Sequence, residues 1–127
     1  MKVLIAHSSE KQMHRLVKSL ESIGLSQIYT TDYGFDALEH IIRHNCKVCL
    51  LDKDLKGLNA WDISNAARFK GIPSKFIILG ADSDSSLKTN RNVLAKVDLS
   101  DETALLKILA LVQRESNTLK IRHIKSH

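Results

Sequence analysis

The sequence has few cysteines and no long apolar run, and each of these shortages excludes a class of protein. Two cysteines among 127 residues are too few for a disulfide framework. The apolar runs, such as 3–6 and 76–79, are far shorter than a bilayer-spanning helix. The first seven residues turn polar too quickly for a secretory signal. We therefore expect a cytoplasmic protein with reduced thiols and no membrane association.

The two cysteines have the C-x-x-C spacing of a redox motif. Redox motifs of this kind sit at a helix N-terminus, whereas Cys46 and Cys49 lead into an apolar strand that ends at Asp52. Positions three apart on a strand point to opposite faces. We interpret both residues as small buried hydrophobic side chains.

The size and charge of the chain indicate one globular domain with a basic end. The chain has 43% hydrophobic and 26% charged residues, which suits a single core. The net charge is +5, and residues 114–127 hold four of the cations against one acid. We expect residues 1–114 to form the domain and residues 115–127 to be a basic tail or linker. A basic tail can bind nucleic acid, but a solvated terminus is the more common case.

Apolar strands alternate with amphipathic helices along the chain. The expected strands are 3–6, 28–31, 48–52, 76–79 and a weaker one at 93–95. Helices are expected after Ser9, over 34–44, around 61–69 and from about 101 to 114. Strands that are apolar throughout indicate a parallel sheet covered on both faces. The predicted fold is therefore α/β, with a doubly wound five-stranded parallel sheet in a flavodoxin-like (βα)5 three-layer sandwich.

In such sheets, chemistry takes place outside the carboxyl ends of the strands. That rule selects His7, Ser8, Asp52, Gly80 and Lys96 as candidate functional residues. No glycine-rich phosphate loop accompanies them, so Ser8 and the serine after it are explained by helix capping.

The local sequences resemble the receiver domain of bacterial two-component response regulators over about residues 1–114. Residues 33–38 are similar to the family's N-G-x-E-A-L segment, and 48–52 to its apolar strand ending in the phosphorylated aspartate. Residues 54–61 resemble the loop that leads into the third helix, and 96–98 the K-P-x-D segment. The resemblance implies phosphorelay signalling without turnover chemistry. It also implies a sensor histidine kinase, a phosphotransfer protein or another signalling protein as partner, a homodimer, and DNA reached only through an output domain or the basic tail.

By this resemblance Asp52 is the candidate phosphoacceptor and Lys96 the site lysine. His7 and Ser8 stand where the family has its two metal-binding acids. Mg²⁺ prefers carboxylate, carbonyl and water oxygens, so Asp52 and Asp54 would remain as weak ligands. The expected result is weak Mg²⁺ binding at best.

The family's conformational switch is also incomplete in this sequence. Gly80 stands where the family has a serine or threonine, and Val93 where it has an aromatic residue, three positions before the lysine. The segment 81–92 is short and polar, so helix four is expected to be short or irregular.

Three interpretations follow from these residues. In the first, the domain signals by protein contacts, and Asp52 is a structural carboxylate paired with Lys96. In the second, Asp52 is a working phosphoacceptor that controls a DNA-binding output. In the third, the chain is a small flavodoxin-like cofactor-binding enzyme, which the missing glycine-rich loop and nucleophile-base pair disfavour.

Overall fold

The computed structural model describes residues 1–80 and 90–125, in which strands and helices alternate. The elements are β1 (Lys2–Ala6), α1 (Glu10–Ser22), β2 (Gln27–Thr31), α2 (Gly34–His44), β3 (Val48–Asp52), α3 (Ala60–Phe69), β4 (Lys75–Leu79), β5 (Val93–Val97) and α4 (Ala104–Lys125). All five predicted strands are present. The predicted irregular helix after Gly80 falls largely on residues outside the described part of the chain.

The five strands form one parallel sheet in the order β2-β1-β3-β4-β5. The order reverses between β1 and β3, because the chain adds β2 on one side of β1 and every later strand on the other. The predicted doubly wound fold is confirmed. The reversal point places the carboxyl ends of β1 and β3 side by side, which is where ligands bind in sheets of this kind.

Strand alternation divides the core between the two faces of the sheet. On one face Leu4 and Ala6 pack with buried residues of α2 and α3. On the other face Val3 and Ile5 pack with buried residues of α1 and α4. Adjacent strand residues point to opposite faces, so the buried residues of each strand are divided between the two cores. This explains why β3 is apolar and buried from its first residue to the one before Asp52.

The helix ends follow local chemistry. Ser9 caps α1 by accepting a hydrogen bond from the Gln12 amide at 3.3 Å, and Gly24 follows the helix with a φ of 91°. The last helix runs to Lys125, beyond the expected end near 114, because 115–125 contain no glycine or proline that would stop it. The division into a domain and a tail at residue 114 stays a prediction. No helix within 1–80 or 90–125 is long and apolar enough to cross a membrane.

Both cysteines are free and buried, and they belong to the same core face. The expectation that they point to opposite faces is wrong, because Cys46 precedes β3 and strand alternation does not extend to it. Burial raises the pKa of Cys46 to about 11, against a smaller lowering by Lys2. Burial also raises the pKa of Cys49 well above its usual value. Thiols with such pKa values are poor nucleophiles, consistent with their interpretation as small hydrophobic residues.

Candidate functional site

Asp52 ends β3 at the carboxyl edge of the sheet and is only 7% exposed. Ser8 lies two residues beyond β1, and Gly80 directly follows β4. Since β1 and β4 flank β3, these residues meet around Asp52. The structure thus brings together His7, Ser8, Asp52 and Gly80, as the topology of a parallel sheet predicts.

The Asp52 carboxylate is held by three hydrogen bonds from its surroundings. Its Oδ2 accepts one from the Ser8 hydroxyl at 2.6 Å and one from the Ser8 amide at 3.2 Å. Its Oδ1 accepts one from the Asp54 amide at 3.2 Å. Burial raises the pKa of Asp52, but these hydrogen bonds outweigh it, and the pKa lies below its usual value. Asp52 is therefore a charged carboxylate that Ser8 and Asp54 stabilise.

His7 lies beside this carboxylate without sharing a proton with it. Its Nδ1 is 3.7 Å from Asp52 Oδ2, too long for a hydrogen bond. The same Nδ1 accepts a hydrogen bond from the Ser9 amide at 2.9 Å, so it carries no proton in this arrangement. Of these two residues, Ser8 therefore binds the Asp52 carboxylate by hydrogen bonds, whereas His7 is held by the backbone amide of Ser9.

The donors around Asp52 do not match the coordination shell that Mg²⁺ requires. Mg²⁺ needs a near-octahedral set of hard oxygen ligands, usually with one or two carboxylates that are open to it. Here one oxygen of Asp52 already accepts two hydrogen bonds from Ser8. Among the described residues, no group of three or more His, Cys, Asp or Glu side chains is placed to hold a metal ion. The Asp54 side chain is exposed, and only its amide contacts Asp52.

Lys96 points away from Asp52. Its Nζ lies over the ring of Trp61, 5.5 Å from the centroid, in a cation–π contact. Both residues are described, and no ion pair joins Lys96 to Asp52, so the expected pair is wrong.

A bulge in β5 explains the direction of Lys96. Phe76 pairs with Val93 but Ile77 pairs with Ala95, so Leu94 is an extra residue. The bulge places Lys96 opposite Ile78, on the sheet face of α2 and α3 where Trp61 packs. Without the bulge, Lys96 would pair with Leu79, which is the residue that pairs with Asp52 on the other side of β4. A shift of one residue moves a side chain to the other face. The role of Lys96 as site lysine stays a prediction.

The bulge also concerns Val93, the residue predicted at the position of the switch aromatic. Val93 is the first residue of β5 and pairs with Phe76 near the amino end of β4. It packs against the core of α2 and α3. The structure therefore does not bring Val93 to Asp52, which lies at the opposite edge of the sheet.

Gly80 leaves room for the side chain of Lys53. A Cβ built on Gly80 would lie 2.7 Å from Lys53 Cγ and 2.8 Å from Cδ, both too short. The φ of Gly80 is 149°, which other residues rarely adopt. The backbones are fixed as well, because the Lys53 amide donates to Leu79 O at 2.8 Å and the Gly80 amide donates to Val97 O at 2.9 Å. Lys53 is not among the candidate residues predicted from the sequence, although it directly follows Asp52.

We expect Gly80→Ser to lower the free energy of unfolding by about 1–3 kcal/mol, because it strains the backbone and displaces the stem of Lys53. Chemical denaturation measures the change. If the side-chain contact contributes, Gly80→Ser will cost less in a Lys53→Ala background than in the wild type. Equal costs in both backgrounds would assign the whole effect to the backbone and contradict the contact.

Comparison with known proteins supports the fold. No protein-family model matches the chain, and no curated protein matches its sequence. Solved structures do match. A DNA-binding response regulator of the LuxR family from Staphylococcus aureus has a TM-score of 0.77 at 22% identity, covering 90% of this chain and 97% of its own. The receiver domain of NtrX from Brucella abortus has a TM-score of 0.77 at 12% identity, covering 92% and 99%.

A third solved structure, the receiver domain of a Francisella response regulator, has a TM-score of 0.75 at 21% identity and covers 93% of this chain and 98% of its own. Identities this low support the fold and not the detailed chemistry. The order of strands and the reversal between β1 and β3 agree with that fold. The chain has the fold of a response regulator receiver domain.

Proposed function

We propose that the chain is an atypical receiver domain in two-component signal transduction, which signals by protein–protein contacts with weak or no Mg²⁺-dependent phosphorylation at Asp52. The observation that carries this proposal is the pair of hydrogen bonds from Ser8 to Asp52 Oδ2. An acid at position 8 would instead repel the Asp52 carboxylate, and the two negative charges together would favour the binding of a cation. Ser8 satisfies the charge of Asp52 without a metal.

Two further features support a domain that does not depend on phosphate. Phosphoryl transfer relies on groups that neutralise charge on the transferred phosphoryl group. Lys96 points to Trp61, and the Lys53 stem fills the space in which a side chain at position 80 would lie. In this arrangement neither Lys96 nor a side chain at position 80 is directed to a phosphoryl group on Asp52.

The partners that we propose are a sensor histidine kinase, a phosphotransfer protein or another signalling protein. Solved structures with this fold include a DNA-binding response regulator and a two-component transcriptional regulator of the AraC type. An output in DNA binding would therefore pass through another domain or through the basic segment after residue 114. Turnover chemistry is not part of the proposal.

Trp61 offers a direct test, because it is the single tryptophan and contacts Lys96. Its fluorescence should show no saturable response to Mg²⁺ or to beryllofluoride, an analogue of the phosphoryl group. Lys96→Met should change the fluorescence of the free protein, since it removes the cation above the ring. That variant is the positive control for the sensitivity of the probe.

The contrary result is equally clear. Saturable responses to Mg²⁺ and beryllofluoride that disappear in Asp52→Asn would show a functional phosphoacceptor and overturn the proposal. Partner binding that persists in a folded Asp52→Asn variant would support signalling without phosphate.

A further inference from the structure

A concave site lies at the opposite edge of the sheet from Asp52. It is a cavity of about 380 Å³ at the amino ends of β3, β4 and β5. Its charged lining consists of Lys47, Arg68, Lys75 and Arg91. A strand rises about 3.3 Å per residue, so the length of β3 separates the cavity from Asp52 by roughly 13 Å. The two sites are therefore physically distinct.

The cavity concentrates positive charge without compensation. Its four cations come from four separate segments, and within residues 1–80 and 90–125 no Asp or Glu lines it. Within the described chain, the recorded ion pairs involve none of these four side chains. Lys47 and Lys75 are half-buried, whereas Arg68 and Arg91 are exposed at the rim. Like charges held together in a concave site raise its potential and favour an anion.

The ammonium group of Lys75 is held in position before any ligand arrives. Lys75 Nζ donates to Asn92 Oδ1 at 3.2 Å, and the Asn92 amide donates to Asn90 Oδ1 at 2.9 Å. Asn90 is buried and donates through Nδ2 to Asn65 Oδ1 at 3.1 Å. The backbones of the two inner lysines are joined, since the Lys75 amide donates to Lys47 O at 2.9 Å. A preorganised site loses less entropy when a ligand binds.

We propose that this cavity binds a small anion carrying at least two phosphate groups. Its volume lies at the lower end of the range of small-molecule sites. Two half-buried lysines and two exposed arginines suit a ligand with two separated anionic groups, and the guanidinium groups favour phosphate oxygens. The cations converge on a cavity instead of following an extended face, as they would for a nucleic acid backbone. The inference does not depend on the function of Asp52.

Isothermal titration with inorganic pyrophosphate tests the proposal. The wild type should bind one pyrophosphate saturably, and more tightly than inorganic phosphate, at about 0.15 M salt. Lys47→Gln/Lys75→Gln should weaken binding about tenfold or more, since charge-assisted hydrogen bonds are lost. Lys11→Gln/Lys18→Gln is the matched control, because it removes the same charge from exposed positions of α1. The control should leave the affinity unchanged.

If the inner double variant does not fold, Arg68→Gln/Arg91→Gln tests the same cavity from its exposed rim. No saturable binding in the wild type, or equal weakening by the cavity and control variants, would overturn the inference. Duplex DNA that displaces pyrophosphate and loses affinity in the same variants would assign the cavity to nucleic acid instead, and so would also overturn it.

Discussion

Gly34→Ala is expected to lower the free energy of unfolding by about 3 kcal/mol or more, which is a large part of the stability of a small domain. A Cβ at this position would overlap the carbonyl oxygen of Leu58 and lie 2.6 Å from its amide nitrogen. Both are backbone atoms that cannot rotate away. The Gly34 amide also donates to Lys56 O at 2.8 Å, which joins the start of α2 to the loop after β3.

The sign of this change is informative because helix propensity predicts the opposite. Gly34 is the first residue of α2, and alanine is favoured over glycine in helices by about 1 kcal/mol. Thermal and urea denaturation measure the net effect, with Lys18→Ala on α1 as a control that should change stability by less than about 0.5 kcal/mol. A stabilised Gly34→Ala protein would contradict the close contact between α2 and the loop that follows Asp52.

His7→Asp/Ser8→Asp is expected to create Mg²⁺ affinity. His7 Nδ1 and Ser8 Oγ lie 3.7 Å and 2.6 Å from Asp52 Oδ2, so carboxylates at these positions would form a cluster with it. Three adjacent carboxylates repel one another, and the variant should be less stable than the wild type without metal. Mg²⁺ at about 100 times its dissociation constant should then stabilise it by about 2.7 kcal/mol.

The measurement is thermal unfolding with MgCl₂ and with NaCl at the same ionic strength. His7→Asn/Ser8→Asn is the matched control, because it has similar shape without charge and should show no response specific to Mg²⁺. Adding Asp52→Asn to the diaspartate variant should remove most of the response. An equal Mg²⁺ effect in the diaspartate and diasparagine variants would mean that positions 7 and 8 do not face a common metal site.

The pKa of Asp52 is lowered in the folded protein, and this makes the free energy of unfolding depend on pH. Its charged form is favoured in the folded state by Ser8 and Asp54, so its contribution is fully present above the pKa of the unfolded chain. The contribution is lost as the pH falls through the lower folded pKa. Asp52→Asn and Ser8→Ala should each reduce this pH dependence of the free energy of unfolding, because the first removes the carboxyl group and the second removes the hydroxyl that donates to it.

The strands and their order could be predicted because local patterns specify them. Continuous apolar runs identify buried strands, and their alternation with amphipathic helices requires a parallel sheet. Once β1, β3 and β4 are parallel neighbours, the residues that follow them must meet at one edge. The sequence therefore predicts that Ser8, Asp52 and Gly80 lie close together at one edge of the sheet.

Other features required the tertiary structure. The bulge at Leu94 has no distinct local signal, yet it decides that Lys96 faces Trp61 and not Asp52. The extension of α4 beyond residue 114, by contrast, follows from a sequence signal, the absence of glycine and proline over 115–125, which hydrophobic periodicity alone does not detect.

The sequence by itself determined the α/β fold and the place of Asp52, because hydrophobic periodicity and the rules of parallel sheets act along the chain. Only the tertiary structure decided which groups satisfy Asp52, where Lys53 and Lys96 point, and that four cations share one cavity. Side-chain direction depends on strand register, and a cavity depends on segments far apart in sequence. Neither can be specified by any short stretch of residues.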